Sequence, residues 1–143
     1  MSRPCSILIT GASSGIGAAL AYLYASEGKI LFLSGRNDER LTAVARSCEA
    51  QGAEAYTSIL DVTHRKAMSN WINYAHGRAA LDLIVANAGI SGGTAGGVET
   101  ESQSRQIFAV NIDGVLNTVL PGLEVMGSRG VGQIAIISSL AGF

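Results

Sequence analysis

Short unbroken apolar runs alternate with stretches of helical periodicity along the whole chain. Residues 5–10 read as a first strand between Pro4 and Gly11. Residues 14–27 read as a helix with Ile16, Leu20, Leu23 and Tyr24 as its apolar stripe, ended by a left-handed turn at Gly28. Residues 30–34 form a second apolar strand. Asn37 or Asp38 then caps a helix whose buried positions are Leu41, Val44, Ala45 and Cys48, and Gly52 closes it. A weaker third strand covers residues 53–60. Thr63 caps a helix with the stripe Met68, Trp71, Ile72 and Ala75, and residues 81–87 make a fourth strand. The glycine-rich stretch 89–97 reads as a loop. Thr100 and Gln103 are spaced as a capping box that opens a long helix over residues 101–126, bent at Pro121 and Gly122. Residues 133–138 are a fifth strand.

The resulting order is βαβαβαβαβ. Strands apolar on both faces, separated by amphipathic helices, predict a parallel sheet covered on both sides. Right-handed crossovers make it an α/β doubly wound fold of strand order 3-2-1-4-5, with a ligand crevice at the carboxyl ends of the strands. Nothing divides residues 1–143 into more than one domain.

Composition narrows the function classes. The 143 residues are 48% hydrophobic and 15% charged, with a formal net charge of −1 and no basic cluster, so a nucleic-acid surface is not expected. No apolar run is long enough to span a bilayer, and the N-terminus lacks a secretory hydrophobic segment. Cys5 and Cys48 make neither a disulfide framework nor a metal site, and His64 and His76 are isolated, so no metal is expected and a cytoplasmic setting is the plain reading.

The chemistry concentrates at Thr10-Gly-Ala-Ser-Ser-Gly-Ile-Gly17, between the first strand and the first helix. Gly11, Gly15 and Gly17 let the backbone turn sharply and approach a pyrophosphate. The free N–H groups at the helix start face the phosphates, and Ser13 and Ser14 add hydroxyls. The spacing is G-x-x-x-G-x-G rather than G-x-G-x-x-G.

This turn resembles the cofactor motif of the short-chain dehydrogenase/reductase family, and further motifs follow in order across the whole chain. Asp61, before Val62, matches the adenine-contacting Asp. Asn87-Ala88-Gly89 matches the family's Asn-Ala-Gly. Asn111 matches the Asn of the catalytic tetrad, and Ser139 the catalytic Ser. The resemblance implies a Rossmann-like cofactor domain with Gly11, Ser13, Ser14, Gly15, Ile16, Gly17, Arg36, Asn37, Asp61, Val62, Asn87, Ala88 and Gly89 around the dinucleotide. It also implies a small alcohol, ketone or aldehyde substrate, and a homodimer or homotetramer built on the helix over residues 101–126. Local readings stand beside these. Asp61 is placed to help cap the next helix, and Asn87 to tie loop backbones together.

The end of the second strand points to the cofactor. NAD(H) proteins usually place an acidic residue there for the ribose 2′-hydroxyl. Here Gly35 occupies that position and Arg36 follows, offering a planar fork for a 2′-phosphate, so NADP(H) is expected over NAD(H). The resemblance further implies a Tyr-x-x-x-Lys pair past Ser139. The tyrosines lie at 22, 24, 56 and 74, and none has Lys four residues on. Two accounts follow: the N-terminal portion of a longer oxidoreductase, or a short NADP(H)-binding chain without turnover that serves as a sensor or partner subunit. The bare edge of the fifth strand favours the first.

Overall fold

The structure, a computed structural model, describes residues 4–92 and 98–139. Five parallel strands form one sheet in the order β3-β2-β1-β4-β5. They are β1 (Ser6–Thr10), β2 (Ile30–Gly35), β3 (Glu54–Ile59), β4 (Leu83–Ala86) and β5 (Gln133–Ile136). Each lies within the run that its apolar pattern predicts, except that β2 extends one residue further, to Gly35. The helices are α1 (Gly15–Tyr24), α2 (Asp38–Glu49), α3 (Arg65–Arg78), α4 (Glu101–Phe108) and α5 (Gly114–Gly127).

β1 is buried along its whole length because both faces are covered. Ile7 and Ile9 pack with Leu31, Leu33, Leu41 and Val44 under α1 and α2. Leu8 on the opposite side packs with Phe32, Met68, Trp71 and Ile72 under α3 and α5. Alternation along one strand thus feeds two separate cores.

Three expectations need correction. The first concerns α1, which does not bury the predicted stripe. Its buried residues are Gly17, Ala18 and Ala21, while Ile16 and Leu23 are exposed. The glycine turn brings the helix start so close to the sheet that only small side chains fit between. Leu20 and Tyr24 lie partly buried beside β5, on a groove they share with Ile134 and Ile137.

The second concerns the long helix, which is interrupted by a π-turn at Ala109–Asp113, where the Gly114 N–H reaches back to the Ala109 carbonyl. The extra residue per turn falls at Asn111. Third, Thr63 does not cap α3, which starts after His64 without a side-chain cap. The Thr63 hydroxyl is drawn back to the Asp61 carboxylate, 2.8 Å away. Pro121 sits inside α5, which continues through it.

The capping box forms as predicted, Thr100 and Gln103 serving each other. Part of the glycine-rich loop, residues 93–97, lies outside the described residues. At the sheet's right-hand edge Ile136 and Ile137 are exposed, as the pattern of the fifth strand implied.

Candidate functional site

The strand order reverses between β1 and β4, and a cleft of about 710 Å³ opens at their carboxyl ends. In a doubly wound sheet this is where the chain leaves toward opposite faces and a crevice must form. Its lining comes mainly from the segments that directly follow β1, β2, β3 and β4, with Ser34 and Gly35 at the end of β2 and Val110 of the π-turn.

Two polar side chains tie the cleft's base. The Thr10 hydroxyl accepts the N–H groups of Asn87 and Ala88 at 3.0 and 3.1 Å and donates to the Val85 carbonyl at 3.4 Å. The Asn87 amide donates back to the carbonyls of Thr10 (3.0 Å) and Gly11 (3.4 Å). β1 and β4 are therefore laced together where the turn begins. The local reading of Asn87 as a backbone tie describes what its side chain does here.

The turn itself is built on close approach. Gly11 has φ of +65°, and a Cβ there would stand 2.8 Å from Ala88 Cα. A Cβ on Gly17 would stand 2.3 Å from the Gly11 carbonyl oxygen. Gly15 has φ of +54° and nothing within 4 Å of a Cβ position, so its face is open to the cleft. Ser14, at the N-cap of α1, makes no side-chain capping bond, and Gly15 and Ile16 of the first turn line the cleft.

Arg36 and Asn37 lie at the outer end. Asn37 caps α2, its Oδ1 accepting the Arg40 N–H at 2.9 Å. Arg36 Nη1 lies 3.8 Å from Asp61 Oδ2 across the cleft. Partial burial works to raise the Asp61 pKa. The N–H and hydroxyl of Thr63 and the Arg36 guanidinium outweigh it, so the carboxyl titrates below its ordinary value. Contrary to its local reading, Asp61 does not cap α3; its carboxylate accepts the N–H and hydroxyl of Thr63 instead, and the helix starts after His64 without a side-chain cap.

The structure brings Gly11, Ser13, Ser14, Gly15, Ile16, Arg36, Asn37, Asp61, Val62, Asn87, Ala88 and Gly89 to this one cleft. Gly17 is not among the lining residues; it is buried, and its part is to let Gly11 approach. Asn111 stands behind the lining. Its side chain accepts the Ile90 N–H at 2.9 Å and donates to the Ile90 carbonyl at 2.8 Å, holding the loop after β4 against the π-turn. Ser139 lies exposed past the carboxyl end of β5 and does not line the cleft.

Sequence reasoning missed Ser34 and Arg40, both lining residues. Ser34 is 1% exposed, and its hydroxyl has no hydrogen-bond partner. Arg40 stands in the first turn of α2, just after the Asn37 cap, and no motif marks it.

Comparison with known proteins places this geometry. Residues 6–143 match the short chain dehydrogenase family. The chain belongs to that family. An oxidoreductase of Listeria monocytogenes is 36% identical to this short chain dehydrogenase over 137 residues, 95% of this chain and 55% of the relative. A metagenomic short-chain oxidoreductase solved in complex with NADP superposes with a TM-score of 0.85 at 31% identity, covering 96% of this chain and 63% of that one. NAD⁺-bound xylitol dehydrogenase superposes with a TM-score of 0.87 at 26% identity, over 95% and 53%. The chain thus spans about half the length of the curated relatives it matches. Both nicotinamide forms occur on this fold, so the choice between them turns on this chain's own residues.

Proposed function

We propose that this chain is the cofactor-binding part of an NADP(H)-dependent oxidoreductase that interconverts alcohols with ketones or aldehydes. The cleft carries the reading: a glycine turn, a helix N-terminus, two arginines and one carboxylate converge on a volume suited to a dinucleotide. Ser13, Ser14 and the N–H groups at the start of α1 hold the pyrophosphate. Gly35 leaves the end of β2 without a carboxylate, so the Arg36 end accepts a 2′-phosphate. Asp61 and Val62 line the adenine side, and Asn87, Ala88 and Gly89 the wall toward β4. The buried, unpartnered Ser34 hydroxyl fits a site completed by a polar ligand.

When bound, the nicotinamide supplies or takes up the hydride. Within this chain Asn111 positions the loop at Ile90, and Ser139 is assigned to the substrate oxygen. The 143 residues contain no Tyr-x-x-x-Lys. NADP(H) binding without turnover stands as the second reading.

The expected partners are a small carbonyl or alcohol and a second copy of the chain, in the cytoplasm. Phe108, Ile112, Leu116, Leu120 and Leu123 are exposed along α4, the π-turn and α5, an apolar row that supports self-association. Among the described residues no helix is long and apolar enough to cross a membrane.

The test is a fluorescence titration of the protein with NADPH and NADH. Tighter binding of NADPH is the expected outcome; equal or reversed affinities would remove the NADP(H) assignment, and no binding of either would remove the cofactor reading. Oxidation of NADPH on adding aldehydes or ketones then separates the enzyme from the binding module.

A further inference from the structure

The segment after β3 forms one wall of the cleft, and α5 holds it from behind. Val62 lines the cleft and is 7% exposed. Gly114 and Asn117 stand one helical turn apart, on one face of α5. A Cβ on Gly114 would lie 2.5 Å from Val62 Cγ2, so the helix sits as near this wall as glycine alone permits. The Asn117 amide donates to the carbonyls of Val62 at 2.9 Å and Thr63 at 3.3 Å. Both partners are acceptors, so only a donor can face them. The bonds from Asp61 to Thr63 are internal to the segment, whereas those from Asn117 tie it to a helix. Asn117 itself does not line the cleft.

We propose that Asn117 is a positioning residue for the adenine wall: its amide, with the close approach at Gly114, fixes how far Val62 stands into the cleft. The inference rests on the nucleotide reading above. The Gly114 backbone stops Val62 from retreating toward α5, and the two hydrogen bonds stop the Val62–Thr63 backbone from moving away from it. A flat ring against Val62 depends on that setting, because a gap of about 0.5–1 Å forfeits a quarter to a half of each dispersion contact. Asn111, earlier in the same continuous helical stretch, clasps Ile90, so one element sets the walls after both β3 and β4.

The experiment compares adenosine 5′-diphosphate with inorganic pyrophosphate by isothermal titration calorimetry. Both probes offer a diphosphate to the glycine turn, so the ratio of their affinities isolates the adenosine. In the unchanged protein the nucleotide binds more tightly. Asn117→Asp sets a carboxylate against the two carbonyls and is expected to cut that ratio about tenfold. Asn117→Leu removes the donor without adding charge and cuts it about fivefold. Asn117→Gln keeps an amide donor and restores part of it. Pyrophosphate affinity holds in all three variants, which checks the fold and the turn; a merely structural role would leave the ratio unmoved. A ratio insensitive to both Asn117→Asp and Asn117→Leu, or a loss shared equally by pyrophosphate, overturns the proposal and leaves the nucleotide site standing. Failure of the unchanged protein to bind the nucleotide more tightly than pyrophosphate overturns both.

Discussion

The same substitution, Gly→Ala, is expected to have opposite effects at two helical glycines. Gly17 lies in the first turn of α1, and a Cβ there would meet the Gly11 carbonyl oxygen at 2.3 Å and Asn87 Nδ2 at 2.6 Å. Ordinary contact begins near 3.4 Å, so the clash is about 1 Å deep. Two of the three nearest atoms are backbone, the third is the amide that laces β1 to β4, and none swings aside freely. Overpacking of this kind costs about 1–3 kcal/mol. For a chain of this size that lowers Tm by roughly 3–12 °C. Gly77, near the end of α3, is exposed and has nothing within 4 Å of a Cβ position. Alanine there gains about 0.5–1 kcal/mol of helix propensity and raises Tm by roughly 2–4 °C. Thermal unfolding followed by circular dichroism reads both. G17A should also lose nucleotide binding, because relief of the clash moves the turn. Equal Tm shifts for the two variants would refute the claim that close approach, rather than backbone freedom alone, requires glycine at position 17.

Three further outcomes are expected. Asn111→Asp sets a carboxylate against the Ile90 carbonyl, now 2.8 Å from the Asn111 amide. It should cost about 1–3 kcal/mol and speed hydrogen exchange at the Ile90 N–H. Unchanged exchange would mean that Asn111 does not hold the loop. Tyr56 donates its hydroxyl proton to the Glu54 carboxylate, which raises its pKa, while the Arg78 Nε–H at 2.8 Å works to lower it. A raised pKa in the folded state means that this contribution is present below the ordinary tyrosine value near 10 and is lost as pH climbs through Tyr56's own. Ultraviolet titration should show Glu54→Gln bringing one tyrosine down, and an unmoved curve would refute the pairing. Leu120→Glu puts a charge in the middle of the exposed apolar row and should lower the mass seen by light scattering; an unchanged mass would place any interface elsewhere.

Much of the architecture was legible because parallel strands buried on both faces must be apolar throughout. Runs such as residues 30–34 have no other stable reading among helices of clear period. The capping box was legible for the same reason, being a local exchange of bonds between Thr100 and Gln103. The stripe of α1 was not. Periodicity marks the bulkiest residues as buried, but at α1 the distance to the sheet is set by Gly11 and Gly17, and a close helix selects Ala18 and Ala21 instead. The π-turn left no trace because one added residue scarcely disturbs a helical pattern. Its effect is on the direction of Asn111, which only the packing against Ile90 reveals. In the cleft, the glycine turn, Asp61 and the Asn87 segment were visible as motifs, whereas Ser34 and Arg40 belong to no motif. They reach the site only because β2 and α2 end and begin beside it.

The polar residues that bound β1 bear on folding as much as on the cleft. The strand's interior, Ile7, Leu8 and Ile9, is nearly interchangeable between its two sides, so hydrophobic burial alone barely opposes a slip of one position that would swap the two cores. Its ends oppose it strongly. The backbone N–H of Ser6 is held by the Asp82 carboxylate at 3.2 Å, and the Thr10 hydroxyl takes the two N–H groups that follow β4. These bonds work as alignment pins: they add little to the depth of the native well but remove its near-degenerate neighbour. Thr10→Val would therefore be felt less in the melting temperature than in the sharpness of the transition and the dispersion of the methyl spectrum, as a chain with two phases for its central strand replaces a chain with one.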